Sequence, residues 1–397
     1  MMTFRWCLAL MPVIAIQVSA VWSEEPAADV GWTKEVIWEG GACYTAIAAD
    51  FTKDGIPDII ADTGEGTTRL FVGPDWKQQI KIDSQHPVCS DTISSYIISD
   101  ACDIDGDGDI DYIAACFNPG VIVWYEQPDQ PLKEKWERRV IENQLNGVHS
   151  VIHGDVDKEG RMDLLATSDQ PMGRFPSSLV WLSPPDNVRS DQAWQRHVLA
   201  DRNAPGISHY LGFGDVNGDG RPDVVTGAKG GPGVEPKSGE WFAWWESPTN
   251  PKLEWAKHLL PGTHLGATNI LPGDINGDGR VDFLATRGHG KGVVWFEAPD
   301  WKVHTIDADI QEPHCLQVQD IDGDGDLDAV TCAFGSKICA WYENDETGQF
   351  SRHVIGTDQE AYDIRVADLD GDGDNDFLVA GRQSNNVVVY LNPKSKR

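Results

Sequence analysis

One nine-residue phrase, D-x-[DN]-x-D-G-x-x-D or a close variant, recurs seven times, starting at Asp50, Asp103, Asp155, Asp215, Asp274, Asp320 and Asp368. Successive starts lie 46 to 60 residues apart. A repeat of that period specifies a solenoid, a propeller or a similar array, in which no unit buries a core alone. The two or three domains that 397 residues would otherwise suggest give way to one array over residues 31–397.

Each unit holds four strand-like segments. The first runs into the Asp loop, as in His209–Gly214, and the second follows it, as in Asp223–Thr226. A third is aromatic, as in Val121–Tyr125 and Val293–Phe296. The fourth reads W-x-x-x-[VIL]-[IL] or close to it from Trp76, Trp136, Trp194, Trp255 and Trp301, with Phe350 in the Trp place. Apolar alternation over five or six residues, bounded by Gly, Pro, Asp and Asn, is a strand signal. The expected fold is all-β, a seven-bladed β-propeller of four-stranded blades. The last unit lacks a fourth strand, and a spare copy, Trp32–Ile37, precedes the first loop. The N-terminal strand is therefore expected to complete blade seven and close the ring, leaving no free sheet edge.

The loop chemistry points to Ca²⁺, a hard cation that takes six to eight oxygen ligands. Side chains at the first, third, fifth and ninth positions supply oxygens, and Gly at the sixth permits the reversal. Loops 2, 6 and 7 are complete: Asp103, Asp105, Asp107, Asp111; Asp320, Asp322, Asp324, Asp328; Asp368, Asp370, Asp372, Asp376. Loop 4 (Asp215, Asn217, Asp219, Asp223) and loop 5 (Asp274, Asn276, Asp278, Asp282) keep an amide oxygen at the third position. Loop 3 (Asp155, Asp157, Glu159, Asp163) carries Lys158. Loop 1 (Asp50, Asp54, Asp58) carries Thr52 and Lys53, so these two are the weakest of up to seven sites.

On these loops the chain resembles the FG-GAP/VCBS-type repeat proteins, whose propellers include the integrin α-subunit head. The resemblance spans residues 31–397 and implies the fold and calcium. It leaves activity open, because similar propellers occur in adhesion proteins, lectin-like modules and a few lyases or dehydratases.

Formal net charge is −31, and 28 of the 63 acids sit in the seven loops. Such a chain repels nucleic acid and anionic lipid. Arg5, the apolar run Trp6–Val18 and Ser19-Ala20 read as a signal peptide over residues 1–20. Secretion or periplasmic export, no membrane insertion and a monomer are expected. Cleavage leaves seven cysteines, an odd number, and a blade-6 hairpin would place Cys332 opposite Cys339 with Cys315 alongside.

Six residues before each loop stand Tyr44, Ile97, His149, His209, Thr268, His314 and Tyr362. That is about 20 Å along the strand, near the opposite face of the disc. His149, His209 and His314, with Glu312 and Asp363 close by, form a candidate ligand or second metal site. Histidines 197, 258, 304 and 353, each three residues after the fourth-strand aromatic, read as structural. Turns between second and third strands are locally basic: Arg69, Arg174, Lys229, Lys237, Arg287, Lys291, Lys337 and Arg382 face only Asp62, Glu65, Asp169 and Glu235. Trp241, Trp244 and Trp245 are a possible sugar-stacking surface. The leading expectation is a binding module for a carbohydrate or extracellular protein on this face. The alternative is a sugar-active lyase or dehydratase, favoured if the three histidines cluster around one point with Glu312 or Asp363 nearby.

Overall fold

The computed structural model describes residues 31–64, 66–84, 95–190, 192–230 and 239–393. The signal-peptide segment, Cys89, Glu65, Glu235 and Lys237 lie outside the described residues. The strands form seven four-stranded antiparallel sheets. In blade 4, Ser208–Gly214, Asp223–Ala228, Trp241–Glu246 and Ala256–Leu259 follow one another as a meander. In blade 7, Asp363–Ala367, Asp376–Gly381 and Asn386–Leu391 take their outer partner, Thr33–Glu39, from the other end of the chain. Thr33 pairs opposite Leu391 and Glu39 opposite Asn386. Trp32 stacks on Phe377 at 4.6 Å, as Trp301 stacks on Phe283 at 4.8 Å in blade 5.

Seven clusters of buried apolar side chains lie between neighbouring blades. One of them joins blade 7, through Leu378, Val387 and Val389, to Ile59, Ala61 and Phe71 of blade 1. Each blade is pressed between two others, so its middle strands are buried on both faces. Every residue of Asp223–Ala228 and of Ser178–Ser183 is buried. Strict alternation is therefore absent there, whereas outer strands such as Glu137–Glu142 keep several exposed positions.

The fourth-strand tryptophans stand just ahead of their strands: Trp76 precedes Gln79–Asp83 and Trp301 precedes Lys302–Gln311, both at positive φ. The histidines after them lie cross-strand from third-strand tryptophans. His197, His258, His304 and His353 stack on Trp181, Trp244, Trp295 and Trp341 at 4.0, 4.2, 4.4 and 4.6 Å. Their outer nitrogens meet Ser183, Glu246, Glu297 and Glu343. Trp241, Trp244 and Trp245 are buried, which removes them as a sugar platform. Lys257 Nζ lies over the Trp241 ring at 3.8 Å. Cys332 pairs opposite both Cys315 and Cys339, yet all three are free buried thiols, whereas Cys116 is disulfide-bonded. No helix of the described residues is long and apolar enough to cross a membrane.

Candidate functional sites on the two faces of the ring

The Asp loops are built by their own backbones. In loop 4 the first-position Asp215 accepts the N–H groups of Asp219 and Gly220 at 3.0 and 2.8 Å. The sixth-position glycine follows at positive φ, 82° for Gly220. The ninth-position carboxylate is a staple between strands. Asp328 Oδ1 accepts from Asn344 N at 2.8 Å and its Oδ2 from Ile321 N at 2.9 Å. Asp58, Asp111, Asp223, Asp282 and Asp376 likewise accept a backbone N–H just past the third strand.

In loops 2, 3, 6 and 7 the first, third and ninth carboxylates offer oxygens within 4.8 Å of one another, a set that could hold a metal ion. Asp155 Oδ1 is buried without a hydrogen-bond partner, an orphan that a cation would satisfy. Burial, reinforced by neighbouring loop carboxylates, pushes Asp111, Asp163 and Asp328 up to about 7. A cation held there would relieve this packing of like charge. Loop 3 thus assembles despite Lys158, which turns away to the Gly220 carbonyl at 2.7 Å.

The fifth position stands apart from these groups. Asp107, Asp324 and Asp372 each accept the N–H two residues on. Asp219 and Asp278 face Arg221 and Arg280. Glu159 is exposed, 4.0 Å from Arg161. Loop 1 turns its Lys53 onto Asp109 of loop 2. Loop 2 also carries Arg189, at 2.5 Å from Asp105 and 2.6 Å from Asp107.

At the other end of the first strands lies a cavity of about 230 Å³. Tyr44, Ile97, His149, His209, His314 and Tyr362 line it. Thr268 does not; its hydroxyl donates to the Gly266 carbonyl at 2.7 Å. Blade 5 contributes His289 instead, from the Gly288-His-Gly-Lys-Gly292 turn. A side chain at Gly288 would come within 2.7 Å of both His314 Cα and Thr268 Oγ1, so the glycine admits the turn to the ring centre.

The four imidazoles touch. His149 stacks on His209 at 4.2 Å, and His289 lies 4.8 Å from His209 and 5.2 Å from His314 between ring centres. His209 Nδ1 donates to the Ile207 carbonyl at 3.0 Å, which leaves Nε2 unprotonated, 2.9 Å from His289 Nε2. His314 Nδ1 faces the Tyr362 carbonyl at 3.3 Å, which likewise turns its Nε2 lone pair outward. Burial drives His209 and His314 well below the ordinary imidazole value and His289 down to about 3, with neighbouring cationic or imidazole groups adding to it. All three are neutral at physiological pH, and their ligand nitrogens lie within 4.8 Å of one another. Three neutral imidazoles with room beside them suit a borderline divalent ion such as Zn²⁺.

His149 is held by Asp169 through Nδ1. Asp169 is fully buried, and burial raises its carboxyl. Neither Glu312 nor Asp363 lines the cavity. Glu312 sits at φ 51° in the backbone turn before Pro313. Asp363 points into the ring interior, accepting from Thr45 Oγ1 at 2.8 Å and pairing with Arg365 at 3.1 Å. Sequence reading named Asp169, Lys229 and Arg382 only as turn charges on this face, and passed over Phe117 and His289. Four of them share a register: Phe117, Asp169, Lys229 and Arg382 each stand six residues after a ninth-position Asp. In blade 5 that place is Gly288, and the next residue, His289, enters.

Two faces with different chemistries, joined by seven sheets, define a closed propeller with oxygen-rich loops on one side and a histidine-lined cavity on the other. FG-GAP-like repeats match at residues 103–166, 215–285 and 320–379, and the chain is an FG-GAP-repeat propeller. It is 24% identical over 251 residues to the aldos-2-ulose dehydratase of Phanerodontia chrysosporium. That match takes in 55% of this chain but only 26% of the dehydratase. Among solved structures it resembles an Agrocybe aegerita lectin that recognises non-reducing terminal N-acetylglucosamine (TM-score 0.54, 16% identity, 90% of this chain and 87% of the lectin). It also resembles virginiamycin B lyase from Staphylococcus aureus (TM-score 0.60, 9% identity, 91% and 98%). These two likenesses are of fold alone.

Proposed function

We propose that the chain is an exported, calcium-stabilised propeller whose histidine cavity carries out β-elimination on a sugar, as a dehydratase or lyase. The observation that carries this reading is the His149–Asp169 pair beside three neutral imidazoles in one small cavity. The likeness to a sugar dehydratase supports it. At about 230 Å³ the space is below the roughly 300–1,000 Å³ of drug-sized sites and suits a single sugar ring.

Asp169 fixes the His149 proton on Nδ1, so Nε2 is the base. It takes the proton from a carbon acidified by an adjacent carbonyl. The C–O bond on the next carbon then breaks, a C=C bond forms, and the departing oxygen takes its proton back from the imidazolium. Acid–base work of this kind contributes about 10²–10⁴-fold. A divalent ion at His209, His289 and His314 would polarise the carbonyl. Lys229 and Arg382 add positive charge where an enolate develops.

The test is turnover of aldoses, 2-ketoaldoses and uronides, followed by the absorbance of the unsaturated product. Wild type is expected to form it, and His149→Ala and Asp169→Asn to lose at least about 10²-fold. Binding without product in every case would sink elimination and leave the binding-module reading standing.

A further inference from the structure

The chain carries −31 formal charge, yet the cavity lining is cationic. Lys229 and Arg382 occupy the same register place in blades 4 and 7. The lining holds no carboxylate of its own, and the one just behind it, Asp169, is already engaged by His149 and, at 3.0 Å, by Gln170 Nε2. Asp169 also acts on Lys229, so Lys229 has a carboxylate in its surroundings. Arg382 is left over. Among the described residues its guanidinium makes no carboxylate ion pair within 4 Å; it hydrogen-bonds the Tyr362 side chain, on which Glu312 also acts. It lies over the rings of Tyr362 at 4.4 Å and Tyr44 at 5.1 Å, both of which line the cavity. Stacking on two rings and the hydrogen bond to Tyr362 hold its plane, leaving its remaining edge donors for a ligand.

We propose that Arg382 reads a carboxylate, and that the cavity takes a monoanionic sugar acid, a uronate or aldonate, in preference to a neutral sugar. The planar fork of a guanidinium matches a carboxylate through two parallel hydrogen bonds, and a single unmatched cation selects a single negative charge. This rests on the sugar-elimination reading and names its substrate class. The Tyr44 and Tyr362 rings serve as the shelf for the guanidinium, with the His314 ring stacked on Tyr362 at 3.8 Å.

The experiment is equilibrium titration of the full chain at low ionic strength with galacturonate against galactose, and gluconate against glucose, with turnover measured alongside. The acids are expected to bind at least about 10-fold tighter, the scale of one charge-assisted hydrogen bond. Arg382→Gln should erase that ratio without moving the melting temperature, and Arg382→Lys should keep part of it. Equal affinity for acid and neutral sugar, or an unchanged ratio in Arg382→Gln, would overturn the proposal. If neutral sugars are bound or dehydrated in a His149-dependent way while acids are not, this inference fails and the elimination reading survives. If no sugar of either charge binds, both fail.

Discussion

In loop 6 a single carboxylate closes the blade and also belongs to a group that could hold a metal ion. Asp328 is 1% exposed and closes two backbone hydrogen bonds across its blade, while one of its oxygens also belongs to the metal-type group with Asp320 and Asp322. Were it only a metal ligand, its loss would go unnoticed in metal-free protein. Asp328→Ala leaves two buried N–H groups unpaired, so it is expected to cost about 2–4 kcal/mol even in chelator, read as a shift in the urea midpoint. Gly288 governs the opposite face. Gly288→Ala forces a methyl against His314 and Thr268, an overpacking cost of about 1–3 kcal/mol, and sugar binding should weaken with it because His289 is displaced. Binding unchanged in that variant would remove His289 from the site.

Among the elements, the N-terminal strand has the largest effect for its size. Thr33–Glu39 covers the edge of Asn386–Leu391, and Trp32 covers Phe377. Removal of residues 31–39 uncovers a strand rich in valine, Asn386-Val-Val-Val-Tyr-Leu391, the kind of edge that pairs with other chains. The shortened chain is expected to melt lower and to associate with rising concentration in light scattering. A monomer of unchanged melting temperature would mean that the strand is dispensable. The Trp–His stacks on the outer strands are a local matter: His304→Ala should cost under about 1.5 kcal/mol and leave ligand binding alone.

At the scale of the whole molecule, the two faces answer pH in opposite senses. The ninth-position carboxyls of the cation-free protein titrate above their unfolded value, about 7 for Asp111, Asp163 and Asp328 and about 6 for Asp223 and Asp376. A raised folded value means that the native state holds more protons than the unfolded chain between about pH 4 and 7, so stability falls as pH rises through that window. On the proposed calcium reading, Ca²⁺ at these loops would replace those protons. The melting-temperature gap between stripped protein and the same protein with Ca²⁺ restored should therefore widen from pH 5 to pH 8. A gap that is constant or absent would count against calcium in these loops. The depressed histidines act the other way, the unfolded chain taking protons first as pH falls below about 6.5. They are common to both samples and leave the gap unchanged.

The sequence alone determined the sevenfold count, the four-stranded units, the loop oxygens and the register that carries Tyr44, His149, His209, His314 and Tyr362 to one end of their strands. These are local facts, since strand period and loop spacing depend on neighbours in the chain. Only the tertiary structure decided what meets at the ring centre. Asp169, Lys229, His289 and Arg382 come from four different blades; a common register after the ninth-position Asp puts them on one face, but the inward fold of the turns decides which of them meet. It also decided against Glu312 and Asp363, which are near the histidines in sequence but not in the cavity. A strand turns successive side chains to opposite faces, so one step along it separates the His314 ring in the cavity from the thiol of Cys315 in the core.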